Sequence, residues 1–210
     1  MFTDSSGRWI KISDLHAQAY CEYQLHFSWQ GIDPKTEAMI AGSLRHAQLE
    51  EEHKEKMKET VKMSVEEAIK IGAKGSGREL RIKSREYRLY GLIDEVQLQS
   101  SAVFIIDDKP GGKAYRSATN QARAYSLCFL SEFNPPKPVF SVIRDSATGE
   151  VTWMEQFNDE AKKDIEEVVA RVHALARGER DFVATKMPWK CAKCRFAAVC
   201  DRKLQSKQPA

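Results

Sequence analysis

The chain lacks any run of 18 apolar residues, so no membrane-spanning helix is expected. Its first residues carry Asp4, Arg8 and Lys11 in place of an apolar segment, so no secretory leader is expected and the cytoplasm is the expected compartment. Net charge is also scarce, at +3 from 33 basic and 30 acidic residues. No global basic field announces nucleic acid, and any basic footprint must be local. There is no internal repeat or low-complexity tract, and only residues 204–210 read as a disordered tail. Cysteine is sparse, with five in 210 residues. Their odd number and the missing leader argue against a disulfide framework.

What is present centres on residues 91–110. They read as two strands joined at Ser100–Ser101. Strand side chains repeat every two residues, so Leu92, Asp94, Val96 and Leu98 are expected on one face. Val103, Ile105, Asp107 and Lys109 form the matching set, with Phe104, Ile106 and Asp108 opposite. A turn at Ser100–Ser101 makes paired residue numbers sum to 201 and sets Asp94 across from Asp107. Their α-carbons would then lie about 5 Å apart. Two opposed carboxylates on an apolar face repel, and a divalent cation is the simplest reason for them.

Before this hairpin the chain reads as helical. A helix is expected from about 14 to 22 with Ser13 as N-cap, and another from Thr36 to about Met63 carrying His46. Gly42 and Ser43 give His46 small neighbours on its own face, as if something approached closely there. Ser64-Val-Glu-Glu67 is a capping box for a short helix to about Ile71. Residues 78–89 read as a strand leading into the hairpin. Beyond it, Pro110-Gly-Gly112 stops the strand, and a helix over about 117–131 sets Gln121 and Tyr125 on one face. Lys113, Arg116 and Arg123 put positive charge near its start. A hairpin over 138–157 and a helix from Asp159 to Gly178 follow.

The last segment contains Cys191-x2-Cys194-x5-Cys200. Thiolates at this density point to zinc or iron–sulfur. Three ligands leave a fourth wanting, with Cys21, Cys128 or a histidine as candidates.

The order His46, Gly91-Leu-Ile-Asp94, Asp107-x-Lys109 and Gln121-x3-Tyr125 resembles the RecB-like branch of the PD-(D/E)XK nucleases. With Cys21 and the C-terminal trio, the whole chain is most similar to the CRISPR-associated "Cas-four" exonuclease family. The resemblance implies an α/β fold, a mixed sheet flanked by helices, over residues 1–185: a helical part at about 13–73 and a core at about 78–177. It implies an iron–sulfur segment at 186–203 completed by Cys21, with 4Fe–4S favoured over 2Fe–2S. It further implies Mn²⁺ or Mg²⁺ held by His46, Asp94, Asp107 and the Asp108 carbonyl oxygen, with Lys109 catalytic and Gln121 and Tyr125 positioning it or the DNA. Lys113, Arg116 and Arg123 are the weaker candidates for DNA contact. The middle residue of the motif, Asp108, departs from the usual Glu or aromatic, and strand parity points its side chain away from Asp107.

The expected activity is cleavage of DNA, with single strands preferred, in spacer acquisition and antiviral defence beside CRISPR integrase proteins. Two alternatives stay open: an adaptor that recognises DNA ends with little catalysis of its own, and a repair or phage nuclease. The same four cysteines could also hold zinc.

Overall fold

The computed structural model describes residues 3–4, 7–58 and 63–204. The long helix expected to reach about Met63 ends at Lys56, and residues 59–62 and the tail from 205 onward lie outside the described residues.

Two short strands, β1 (Thr3–Asp4) and β2 (Gly7–Arg8), pair with each other, and β3 (Ile10–Lys11) joins the main sheet. Helices α1 (Ile12–Tyr20) and α2 (Tyr23–Trp29) follow, separated at Cys21–Glu22. α1 starts earlier than expected, with Lys11 rather than Ser13 at the N-cap and no side-chain cap. Fully buried Ile12 and Leu15 anchor its first turns, so packing sets the start instead of a cap. α3 (Glu37–Lys56) is capped by Thr36, whose hydroxyl accepts the Met39 N–H. α4 (Val65–Lys70) has the expected capping box between Ser64 and Glu67.

The main sheet is mixed. β4 (Gly75–Ser84), β5 (Leu89–Leu98) and β6 (Val103–Lys109) form an antiparallel meander. The single strand expected over 78–89 is corrected to two strands with a turn at 85–88, where Arg88 takes a positive φ. A short 3-10 turn (Pro110–Gly112) leads to α5 (Arg116–Phe133), which crosses over to β7 (Val139–Asp145), parallel to β6. β8 (Val151–Gln156) pairs antiparallel with β7, and α6 (Asp159–Ala176) and α7 (Pro188–Ala192) finish the chain.

The core lies between the sheet and helices α1, α5 and α6, with Ile93, Ile105, Leu127, Phe129 and Ile165 almost wholly enclosed. Each such side chain contributes about 1.5–3 kcal/mol by leaving water. α3 buries none of its side chains fully. Gly42 has open space where a Cβ would be, so among the described residues no protein atom makes the expected close approach.

Candidate active site

β4 pairs along the whole of β5, so β3 and β6 share the other edge of β5. β3 takes Leu89–Tyr90, and β6 takes Glu95–Leu98 in the expected register of 201. Residues 91–94 lie in the gap between them. Continuing the ladder by one pair sets Asp94 opposite Asp107. The Asp94 carboxylate occupies that place, with Oδ2 accepting the Asp108 N–H at 2.7 Å.

Side-chain alternation changes phase here, which corrects the expectation of one regular face. Leu89 and Ile93 are fully buried while Leu92 is 39% exposed; beyond the site the buried residues are Val96 and Leu98. The four residues Ile93–Val96 are consecutively buried. The cause lies on β4. Glu79 stands across from Asp94 with φ 53, in the left-handed region that non-glycine residues avoid. The pairs on either side, Arg78↔Glu95 and Leu80↔Ile93, keep one register. A conformation of this kind costs about 1–3 kcal/mol and persists only where surrounding structure imposes it.

His46, on α3, faces this point. Its Nδ1 is 3.4 Å from Asp94 Oδ1 and 3.9 Å from Glu79 Oε1. Donor atoms of His46, Glu79 and Asp94 all lie within 4.8 Å of one another, a spacing one metal ion can bridge. Burial raises the Asp94 pKa well above the carboxylate range, and the Asp107 charge adds to it. Asp107 is likewise raised by burial, against which Lys109 pulls it down. Glu79 is raised by burial, with His46 opposing. Glu79 Oε1 is enclosed yet has no hydrogen-bond donor, whereas Asp107 Oδ2 lies 2.8 Å from the Lys109 ammonium. Desolvated carboxylate oxygens without donors suit a cation.

Lys109 reaches the same place from the end of β6. Its Nζ donates to Asp107 Oδ1 at 3.0 Å and to Gln121 Oε1 at 3.2 Å. Gln121 Nε2 in turn donates to Tyr125 Oη at 3.2 Å. Gln121 and Tyr125 are one turn apart on α5, so one helix face holds the lysine. Tyr125 is itself fixed by Gly91, where an added Cβ would stand 2.9 Å from its ring.

The Asp108 side chain points the other way, as parity predicts. It accepts from Arg144 at 2.7 Å and from Arg78 at 2.7 Å, and both arginines also bind Glu95. Burial would raise the Asp108 pKa, but the hydrogen bonds from Arg144 and Arg78 outweigh it and hold it low. This buried network pins the backbone of the residue whose carbonyl is a candidate ligand.

Cys21, Cys191, Cys194 and Cys200 line a single cavity with Tyr20, Tyr23 and Phe196. All are free thiols. Cys21 Sγ accepts the Thr185 N–H at 3.3 Å, and Cys194 Sγ accepts from Gln24 Nε2 at 3.5 Å. Cys128 is fully enclosed in the hydrophobic core, where burial pushes its pKa up. It is thereby removed as the fourth member.

The expected residues His46, Asp94, Asp107, Lys109, Gln121 and Tyr125 thus converge. Lys113 and Arg116 are exposed at the start of α5. Arg123 is held within the protein: Nε and Nη2 grip Glu155 at 2.7 and 2.8 Å, and Nη1 reaches Asp164 at 3.2 Å. Glu79 was not among the expected site residues. Its signal was the β4–β5 register, which places it opposite Asp94, but that register is hidden until the turn at 85–88 is recognised.

A profile of the PD-(D/E)XK nuclease superfamily matches residues 13–201. The chain is 28% identical over 200 residues to a CRISPR-associated exonuclease Cas4/endonuclease Cas1 fusion of Myxococcus xanthus, covering 91% of this chain. It spans 31% of that relative's length. The crystal structure of SSO0001 matches with a TM-score of 0.53 at 15% identity, covering 98% of this chain and 90% of the other. A protein of Eubacterium rectale matches with a TM-score of 0.50 at 13% identity, covering 96% and 91%. These two share the fold. Among the described residues no helix is long and apolar enough to cross a membrane. The acids and lysine that define the motif stand together in space, and the superfamily profile runs through all of them: the chain belongs to the PD-(D/E)XK nuclease superfamily.

Proposed function

We propose that this nuclease is a DNA exonuclease preferring single strands, that it carries an iron–sulfur cluster, and that it trims DNA during CRISPR spacer acquisition. The observation that carries the catalytic part is Lys109 Nζ, held between Asp107 and Gln121 beside two buried carboxylates. His46, Asp94, Asp107 and the Asp108 carbonyl oxygen offer the nitrogen and oxygen donors that Mn²⁺ or Mg²⁺ takes. Such an ion supplies Lewis acidity at the scissile phosphate and acidifies water. Lys109 orients the attacking water and stabilises charge on the phosphate as it develops. Gln121 and Tyr125 keep the ammonium aimed and leave its remaining proton directed at the substrate. Lys113 and Arg116 take phosphates further along the strand.

The four cysteines fit a cluster. They share one cavity and two of their sulfurs receive N–H donors, as ligating thiolates do. The cluster holds the start of α2 against the C-terminal segment. Resemblance to a Cas4/Cas1 fusion supports the adaptation role and a CRISPR integrase protein as partner. Intact Asp94, Asp107 and Lys109 weigh against a purely adaptor role.

The test uses anaerobically purified protein. Iron analysis and a broad visible absorbance band report the cluster, and zinc without iron contradicts it. Single-stranded DNA labelled at one end should be shortened stepwise with Mn²⁺ while a single-stranded circle survives. Cutting of the circle contradicts exonuclease action.

A further inference from the structure

Glu79 combines three features. It stands directly across from Asp94 in the β4–β5 ladder, between pairs of unbroken register. Its φ of 53 belongs to glycine's territory, although no residue is inserted there and no turn is made. Its Oε1 is enclosed without a hydrogen-bond donor, 3.9 Å from His46 Nδ1. Neighbouring Arg78 gives its guanidinium to Glu95 and Asp108. A structural glutamate would pair with an available donor or turn to water. Glu79 instead keeps an oxygen beside a second carboxylate and an imidazole, where like charges repel unless a cation joins them.

We propose that Glu79 is a further carboxylate ligand of the active-site cation, added on the His46 side of Asp94 to those given by the motif. The inference rests on the nuclease reading of the site. A third carboxylate makes the site richer in hard oxygen donors and raises its affinity for divalent cations. The left-handed backbone at 79 is what the chain spends to bring this oxygen to the cation.

The experiment is a titration of chelator-dialysed, full-length protein with MnCl₂, following the electron paramagnetic resonance signal of free Mn²⁺. Glu79→Gln keeps the shape and removes the charge, and it should weaken Mn²⁺ binding at least tenfold. Glu79→Gly removes the ligand and accepts the positive φ without strain. It should melt at a higher temperature than wild type in the absence of metal while also binding Mn²⁺ more weakly. This opposed pair of effects separates a ligand from a structural residue and remains readable if the glutamine variant misfolds. Wild-type Mn²⁺ affinity in both variants, with Asp94→Asn losing binding, overturns the role of Glu79 alone. Unaltered affinity in all three overturns it together with the metal-site reading.

Discussion

Gly91 lies against the ring of Tyr125, so closely that a Cβ at position 91 would stand 2.9 Å from Tyr125 Cε1 and 3.1 Å from Ile12 Cδ1. Two elements of the motif, the glycine before Asp94 and the tyrosine after Gln121, are therefore one mechanical unit. The tyrosine accepts from Gln121, and Gln121 holds Lys109.

Gly91→Ala should consequently act on catalysis from a distance. The ring must shift, the Gln121 contact loosens, and the lysine loses its aim. The expected loss is about ten- to a hundredfold in kcat, equivalent to about 1.4–2.7 kcal/mol. Mn²⁺ affinity should stay at the wild-type value, because no donor atom moves from the cation. Steady-state cleavage alongside metal titration checks this; a drop in affinity with kcat retained contradicts it.

Arg144 sits on the opposite side of the sheet, with Asp108 and Glu95 enclosed beneath it. Arg144→Met leaves Asp108 with Arg78 as its only side-chain donor, and Glu95 with Arg78 and Gln97. Breaking a buried pair this way costs about 3–5 kcal/mol. Urea unfolding should show a lower midpoint with an unchanged m-value. Asp108→Asn should destabilise in the same assay while retaining Mn²⁺ binding, since the carbonyl and not the side chain faces the site.

Glu22 begins α2 beside Cys21 and accepts from Arg171 Nε and Nη2 at 2.9 and 2.7 Å, from Gln18 at 3.0 Å and from the Val183 N–H at 2.8 Å. Burial would raise its pKa, but these donors, Arg171 first, bring it below its ordinary 4.5. A depressed folded pKa stabilises the fold above the unfolded value and loses that stabilisation as pH falls through the folded value. Glu22→Gln should thus cost about 2 kcal/mol near neutral pH, the low end for a pair whose arginine is partly exposed. The gap between the two proteins should close as pH falls below 4.5. Chemical denaturation across pH reads the effect; a gap that widens in acid contradicts it.

Cys21→Ser should release the C-terminal segment from α2. Iron content should fall, and proteolysis between α6 and α7 should accelerate. Metal-dependent cleavage should persist at first, because none of the cysteines contacts His46, Asp94 or Lys109. Loss of iron without any gain in proteolysis contradicts the structural role of the cluster.

Much of this site was legible in the sequence. The turn at Ser100–Ser101 fixes the register, and that register sets Asp94 against Asp107 with no structural input. The Gln121 and Tyr125 pair follows from helical spacing, and the outward Asp108 from strand parity. Other features were hidden because they depend on contacts distant in sequence. Arg123 read as a free cation near a helix start, yet its partners lie on β8 and α6. The start of α1 was masked because burial of Ile12 and Leu15 outweighed the capping signal at Ser13. The phase change at Asp94 depends on a left-handed glutamate, and no propensity places a non-glycine residue there. Local rules failed at the catalytic centre, where strain and buried charge are tolerated for function.

The central claim is that Lys109, set by Asp107 and Gln121, drives metal-dependent hydrolysis of DNA. The most direct measurement compares wild type and Lys109→Ala on end-labelled DNA with saturating Mn²⁺, with cluster absorbance and Mn²⁺ binding recorded on the same samples. Cleavage should fall by at least a thousandfold while both spectroscopic signals persist. Cleavage by the alanine variant at the wild-type rate would contradict the account.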